Sequence, residues 1–446
     1  MTRLIPASHY RCVALLIAAA AATTAAAATL QAQAPAIDPA LAQRYFEEAE
    51  RLSAADGGRL WGVELYGPML FADRDTRELV ANTAHEAGML EARGDVYAGT
   101  VPRELNLANT AIDWDGQRWT MVLWPLPANR YARQRLMMHE LFHRVQPALG
   151  IAGSDPANAH LVTRDGRIWI RLEWRALEEA LLREGAERKR AVADALAFRA
   201  ARYARFPDGA AEERALERNE GLAEYTGLVL SGLPADVLSD RAAMALADRE
   251  GSERLARGFA YASGPAYGVL LDQAGVEWRE RAALDGTGLD ELLAEAYGVE
   301  PDADVAEAQA ARYDGARLIA AETERAERIA AELARLRERF LEGPTLRLVP
   351  EGSFRYVYDP NGAVPLAGVG TVYEASRVSA AWGVLTVESG GVLFTRSELG
   401  ITGVVVPVAA GTTEPPLAGD GWRLEPAEGW RVVAGERAGS WVVVRE

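Results

Sequence analysis

The chain of 446 residues has a single cysteine, Cys12, and a single lysine, Lys189. One thiol excludes internal disulfides and metal sites built from several cysteines. With 5 histidines in all, a metal would have to be held by His together with Asp or Glu. Basic charge is also scarce: 64 acidic residues stand against 48 basic ones, for a net charge of −16. Such a surface repels phosphate backbones and argues against nucleic acid as a partner. The rarity of Lys beside abundant Arg and Ala reads as a GC-rich coding sequence, not as a functional signal. Beyond residue 30 no apolar run reaches membrane-span length, because charges interrupt each one. What is abundant is core-forming residues: 49% of the chain is hydrophobic and 25% charged, which excludes disorder for most of it. The length suggests two or three domains.

The first residues read as an export leader. Arg3 and Arg11 flank a short polar stretch, Cys12 to Leu30 is apolar or small, and Ala32-Gln33-Ala34 offers small residues for cleavage. A secretory signal peptide over 1–34 is the expectation, with a single membrane anchor as the alternative. Cys12 lies inside that leader, so the mature protein is expected to have no thiol; removal of the leader would leave it with no membrane partner and a periplasmic or secreted location.

Three regions follow. Over 35–128 the pattern favours strands, with Leu60–Tyr66 and Arg118–Trp124 as aromatic and β-branched runs bounded by Gly, Asp or Pro. Over 129–342 it turns helical: Arg133–Val145, Ile168–Leu182, Ala186–Phe206 and Ala210–Leu230 carry helical spacing, punctuated by Pro147, Pro207 and Pro234. A single long helix is predicted from Ala303 to Leu341, stopped by Gly343-Pro344, with Ile329, Leu333, Leu336 and Phe340 on one face. Over 343–446 short strands with Gly-rich turns predict a small β-sandwich or barrel, in which Trp422–Leu424 and Trp430–Val432 look like paired elements. Exposed tryptophans there would suit a glycan; core packing explains the same residues. The expected class is α+β.

The chemistry lies in His139-Glu140-Leu141-Phe142-His143, an H-E-x-x-H on a predicted helix. Residues four apart share a helix face, so both imidazoles can bind one metal ion. Glu140, one residue on, stands beside the metal without binding it and can take a proton from an activated water. Two satisfied histidines on a helix would be the plain structural reading. In the extended motif with a third histidine, Gly and His would follow; here those positions hold Gln146 and Leu149, which excludes that class. His85, His160 or a downstream carboxylate remain for the third ligand. Arg218 to Tyr225 is the strongest stretch, with Glu220 and Glu224 on one helix face.

H-E-x-x-H followed by Asn219-Glu220-Gly221-Leu222-Ala223-Glu224-Tyr225 resembles the gluzincin metallopeptidases, and most the aminopeptidase N and leukotriene A4 hydrolase group. The resemblance implies a zincin-like catalytic unit, one zinc per chain, Glu220 as third ligand and a peptide or protein substrate. It implies Glu224 as support for a ligand His. It further implies a tyrosine that stabilises an oxyanion: Tyr261, in Phe259 to Gly264, is the candidate and Tyr267 the alternative. The group's G-x-M-E-N segment, which grips a free amine, has only a loose echo in Gly88-Met89-Leu90-Glu91, so aminopeptidase specificity is not implied. Glu173 and Arg175 could reach the site from the extra helical pair; a structural ion pair is their plainer role. The competing function is an exported binding or scaffold protein with a structural or vestigial zinc site, its β domain being the interaction module. A closed metal site with a fourth protein ligand would favour it.

Overall fold

The computed structural model describes residues 36–358 and 362–446, so the expected leader and Cys12 lie outside the described residues. The chain is mixed α/β with several sheets. Helix α1 (Pro39–Asp56) starts where the Asp38 side chain accepts from the Ala40 and Leu41 amides, satisfying donors that a helix start leaves free. A six-stranded sheet follows: β1 (Met69–Asp73), β2 (Glu78–Ala81), β3 (Glu91–Arg93), β4 (Val96–Thr100), β5 (Thr110–Trp114) and β6 (Gln117–Trp124), in the order β3-β4-β2-β1-β6-β5. β1 and β6 are parallel and the other pairs antiparallel, so the sheet is mixed. Side chains alternate between faces: Met69, Phe71, Val80 and Val122 join the large core shared with the helices, while Leu70, Ala72, Trp119 and Met121 form a second cluster on the other face. β5 and β6 are joined by Asp115-Gly116, both at positive φ (51° and 82°), the conformation a two-residue hairpin requires. That hairpin leaves β5 as an edge.

Leu60–Tyr66 is not a strand. It runs as a turn and irregular chain, because Trp61 points inward: its indole N–H donates to Thr226 at 2.8 Å and its ring packs on Phe142, Tyr225 and Trp278. Aromatic content alone suggested a sheet; a buried tryptophan anchor uses the same residues.

The helical region contains α2 (Arg130–Val145), α3 (Arg164–Leu182), α4 (Gly185–Arg205), α5 (Gly209–Leu216), α6 (Leu222–Val229), α7 (Leu238–Glu250), α8 (Leu255–Gly258) and α9 (Ala260–Ala274). α2 lies between β6 and α6, so it sits on the sheet and faces the helices. α3 and α4 pack as a hairpin across Arg183-Glu184. The expected helix over Ala210–Leu230 is interrupted between α5 and α6 by a wide π turn at Glu217–Gly221. The long helix predicted from Ala303 is also interrupted: Asp314 takes a left-handed φ of 53°, and the straight helix spans Gly315–Arg337. The break is held from outside. The Tyr313 hydroxyl donates to buried Asp194 at 2.9 Å, and Arg175 donates to the Tyr313 carbonyl at 2.6 Å. Periodicity continues through such a break and does not reveal it.

From Thr345 onward the described residues form strands in a seven-stranded and a five-stranded sheet. Both contribute to one apolar cluster containing Trp382, Trp422 and Trp441, so these tryptophans are core. Trp422–Pro426 and Trp430–Ala434 do not pair with each other. The first pairs with Gly383–Val387 in the five-stranded sheet and the second with Ser440–Arg445 in the seven-stranded one. Their similar sequences reflect the same inward-facing alternation, with Trp422 and Leu424 buried in one strand and Val432 in the other.

Candidate metal centre

α2 is anchored by fully buried Met138, Leu141 and Phe142. Burying each such side chain contributes about 1.5–3 kcal/mol. The opposite side carries His139 and His143, whose Nε2 atoms are 3.0 Å apart. Glu220 comes from the π turn between α5 and α6. Its Oε2 lies 3.5 Å from His139 Nε2 and 3.4 Å from His143 Nε2. Wide turns of this kind are frequent at functional sites, and the described residues contain two more, Arg281–Asp285 and Glu338–Glu342, away from this cluster.

Two close backbone approaches bring the remaining side chains in. At Gly264 an added Cβ would lie 2.3 Å from the Gly221 Cα, so α9 crosses the π turn at a distance only glycine permits. Tyr261 is one helical turn before Gly264 and Glu220 directly precedes Gly221, and the Tyr261 hydroxyl donates to Glu220 Oε2 at 2.6 Å. At Gly227 a Cβ would lie 2.7 Å from the Arg135 carbonyl oxygen and 3.3 Å from His139 Cβ, so α6 lies tight on α2. Glu224, one turn before Gly227, accepts from His139 Nδ1 at 2.7 Å and also pairs with Arg135.

The partners determine which ring nitrogens face inward. A carboxylate only accepts, so the Glu224 contact requires a proton on His139 Nδ1. Gln146 acts on the other ring. Its Nε2 donates to the Asn219 carbonyl at 2.7 Å, which turns its Oε1 to His143 Nδ1 at 2.8 Å. That contact also requires an Nδ1 proton. In neutral imidazoles both Nε2 lone pairs therefore point at the Glu220 carboxylate. Three acceptors converging on one point call for a cation. Ligands about 2.0–2.1 Å from a tetrahedral ion stand roughly 3.3 Å from one another, close to the separations present. The three residues fit a metal ion. Among the described residues no further His, Cys, Asp or Glu joins the group.

Glu140 is buried beside the cluster. Its Oε1 is 4.0 Å from His139 Nε2, beyond hydrogen-bond reach, and its Oε2 has no partner. Burial pushes its carboxyl up to about 8, against the nearby His143 charge. Burial pulls His139 down to about 4 despite its contact with Glu220. His143 is raised: burial disfavours its charge, but the Glu220 bond and the Glu140 charge outweigh burial. Glu220 is held well below the usual carboxylate range, because the two imidazoles and Tyr261 outweigh its burial. Burial and the Glu220 charge push Tyr261 above the usual phenol range, so it stays a hydrogen-bond donor. A bound cation would add the largest local charge and favour the ionised form of Glu140.

The other residues singled out in the sequence lie elsewhere. His85 packs on Trp114 with its ring 4.2 Å away, and His160 bonds Glu213 at 2.7 Å. Tyr267 donates to Glu173 at 2.9 Å, and Glu173 pairs with Arg199 and Arg202 inside a fully buried ion network. Arg175 pairs with Glu250. Glu91 is an exposed residue of β3. Gln146 and Arg135 were missed as supports. The available signal was their spacing: Arg135 lies four residues before His139 on the face of α2 that carries the ligands, and Gln146 three residues after His143, at the end of that helix.

No protein-family model matches the chain, and neither does any curated protein or solved structure.

Proposed function

We propose that the chain is an exported zinc metallopeptidase of gluzincin type. In this reading 35–342 form a zincin-like catalytic unit and 343–446 a small all-β domain. The observation that carries it is the division of labour on α2: two imidazoles with Nε2 turned toward Glu220, and between them a buried carboxylate with an unpartnered oxygen. The donor set of two nitrogens and one oxygen suits zinc. A structural site would recruit a fourth protein ligand and would have no use for Glu140.

When bound, the ion supplies Lewis acidity that acidifies water and polarises a carbonyl. His139, His143 and Glu220 hold it. Glu140 Oε2 takes the proton of the attacking water and returns it to the leaving amine. The Tyr261 hydroxyl, within reach of Glu220, is placed to donate to the oxyanion. Glu224 and Gln146 keep both rings in the required tautomer.

A polypeptide substrate is supported by β5. It is a sheet edge next to α2, with free backbone groups able to pair with an extended chain. Arg118 fastens that hairpin to the site, bonding Asp113 of β5 at 2.8 Å and the His143 carbonyl at 3.5 Å. The test is the zinc content of the purified protein together with its cleavage of a peptide library. About one zinc per chain and cleavage that disappears on chelation are expected. A zinc-loaded protein that cleaves no peptide would overturn the reading.

A further inference from the structure

The buried ion network that holds Tyr267 also reaches the turn that carries Glu220. Arg199 of α4 is fully buried, and each of its three nitrogens is engaged. Nε donates to Glu173 of α3 at 3.0 Å, and the two Nη atoms donate to the two oxygens of Glu217 at 3.0 and 2.5 Å. Asp290 stands further off, 3.8 Å from Nη1. Glu217 is the first residue of the π turn and is itself buried. Glu173 in turn accepts from the Tyr267 hydroxyl of α9 at 2.9 Å. At the far end of the turn, Gly221 lies against Gly264, also of α9. Both ends of the turn are thus referred to the helix that supplies Tyr261.

Burying charges costs about as much as their attraction returns, so an ion network of this kind is a weak source of stability. What a guanidinium fork does fix is geometry, because two nitrogens must meet two carboxylate oxygens in one plane. Geometry is what the π turn needs. It holds one residue more than an α-helical turn, and moving that extra residue along the chain rotates each side chain it passes by about 100° around the helix axis. Such a rotation would carry Glu220 away from both imidazoles. Arg202, one helical turn after Arg199 and equally buried, provides the contrast. It shares Glu173 at 2.7 Å, but its fork holds Glu213 of α5, at 2.7 and 2.6 Å, and not the turn.

We propose that Arg199 is a positioning residue of the metal centre: by holding Glu217 it keeps the π turn in the register that aims Glu220 between His139 and His143. This rests on the part of the reading above that makes Glu220 a metal ligand, and not on which bond is cleaved.

The test is zinc affinity, read by competition against a chromophoric chelator on the purified metal-free protein, with each variant shown to be folded by circular dichroism. Arg199→Lys keeps the charge but has no fork, and Glu217→Gln keeps the shape but loses the charge. Each should weaken zinc binding about 10–100-fold, as the loss of a ligand's support does. Glu217→Gln carries the same test should the lysine variant fail to fold. Arg202→Lys disturbs the same network at the same depth and should keep the parent affinity while losing stability. Arg199→Lys made on top of Glu220→Ala should cost no further affinity, because the ligand it positions is gone. Parent affinity in both Arg199→Lys and Glu217→Gln overturns this inference and leaves the metallopeptidase reading standing. Equal losses in Arg199→Lys and Arg202→Lys, or a further loss in the Glu220→Ala background, also overturn it. Parent affinity in Glu220→Ala overturns the ligand assignment and this inference together.

Discussion

Replacing Gln146 by alanine isolates the tautomer argument from the metal ligands themselves. The side chain makes two buried hydrogen bonds, to His143 Nδ1 at 2.8 Å and to the Asn219 carbonyl at 2.7 Å. Loss of the first frees the ring to rotate or to exchange tautomers, and only one tautomer turns Nε2 to the metal. Losing a support of this kind lowers metal affinity by about 10–100-fold, or about 1.4–2.8 kcal/mol. Loss of the second removes a buried hydrogen bond to the Asn219 carbonyl, next to Glu220, and costs about 0.5–1.5 kcal/mol of stability. The two effects are separable. Zinc affinity is read by competition against a chromophoric chelator, and stability by denaturant unfolding of the metal-free protein. Gln146→Glu keeps an acceptor for Nδ1 and makes it a stronger one, but sets a carboxylate against the Asn219 carbonyl. It should recover the affinity lost by Gln146→Ala and remain destabilised. An alanine variant that binds zinc within twofold of the parent would refute the assignment of Nδ1 to Gln146.

Glu140→Gln should retain zinc and fold while peptide hydrolysis falls at least about a hundredfold, since a neutral amide cannot act as a base; parent-like turnover would sink the proposed role. Glu220→Ala should lose zinc as badly as His143→Ala. Glu224→Ala should weaken binding by only about 10–100-fold, so the reverse ranking by metal titration would make Glu224 the ligand. In the buried ion network, the Arg202 charge overcomes the burial of Glu213 and lowers its carboxyl to about 2. A lowered folded-state pKa contributes stability that is present above the ordinary value of 4.5 and lost as pH falls through about 2. The parent should therefore lose on the order of 2–4 kcal/mol from this group between pH 4.5 and 2, whereas Glu213→Gln should lack that acid-sensitive component in denaturation profiles. Equal pH slopes for the two proteins would exclude it.

The elements readable from sequence were those whose signal is local. Alternation marked the strand Gly383–Val387 to the residue, and helical spacing with flanking Pro marked α2, α3 and α4 within a few positions. The misreadings share one cause. Trp61 is drawn into the core by Thr226, Phe142 and Trp278, which are distant in sequence, so its aromatic run never becomes a strand. The break at Asp314 is held by Asp194 and Arg175 on other helices, and apolar residues spaced three and four apart continue on both sides of it. Whether two tryptophan-bearing strands pair with each other depends on sheet order, which a strand's own residues do not encode.

The same distinction runs through the site. His139, Glu140 and His143 share one helix, so their geometry follows from 3.6 residues per turn and is legible in five letters. Glu220 required a second motif, and the π turn that presents it leaves no periodic trace, since a single extra residue per turn shifts the pattern by less than the spacing between apolar positions. Tyr261 reaches Glu220 because Gly221 and Gly264 let two backbones touch. Either glycine alone is unremarkable in sequence, and the meaning lies in the pair. The proton positions are further from the sequence still. Nothing about a histidine reveals which nitrogen carries hydrogen; that is decided by an acceptor aimed at Nδ1, and here the two acceptors differ in kind. Glu224 arrives from α6 as a carboxylate and makes His139 a more basic ligand. Gln146 arrives from the chain just past α2 as an amide, oriented by the Asn219 carbonyl beside Glu220. One amide therefore supports His143 and tethers the turn that carries Glu220, so a disturbance of either ligand is transmitted to the other.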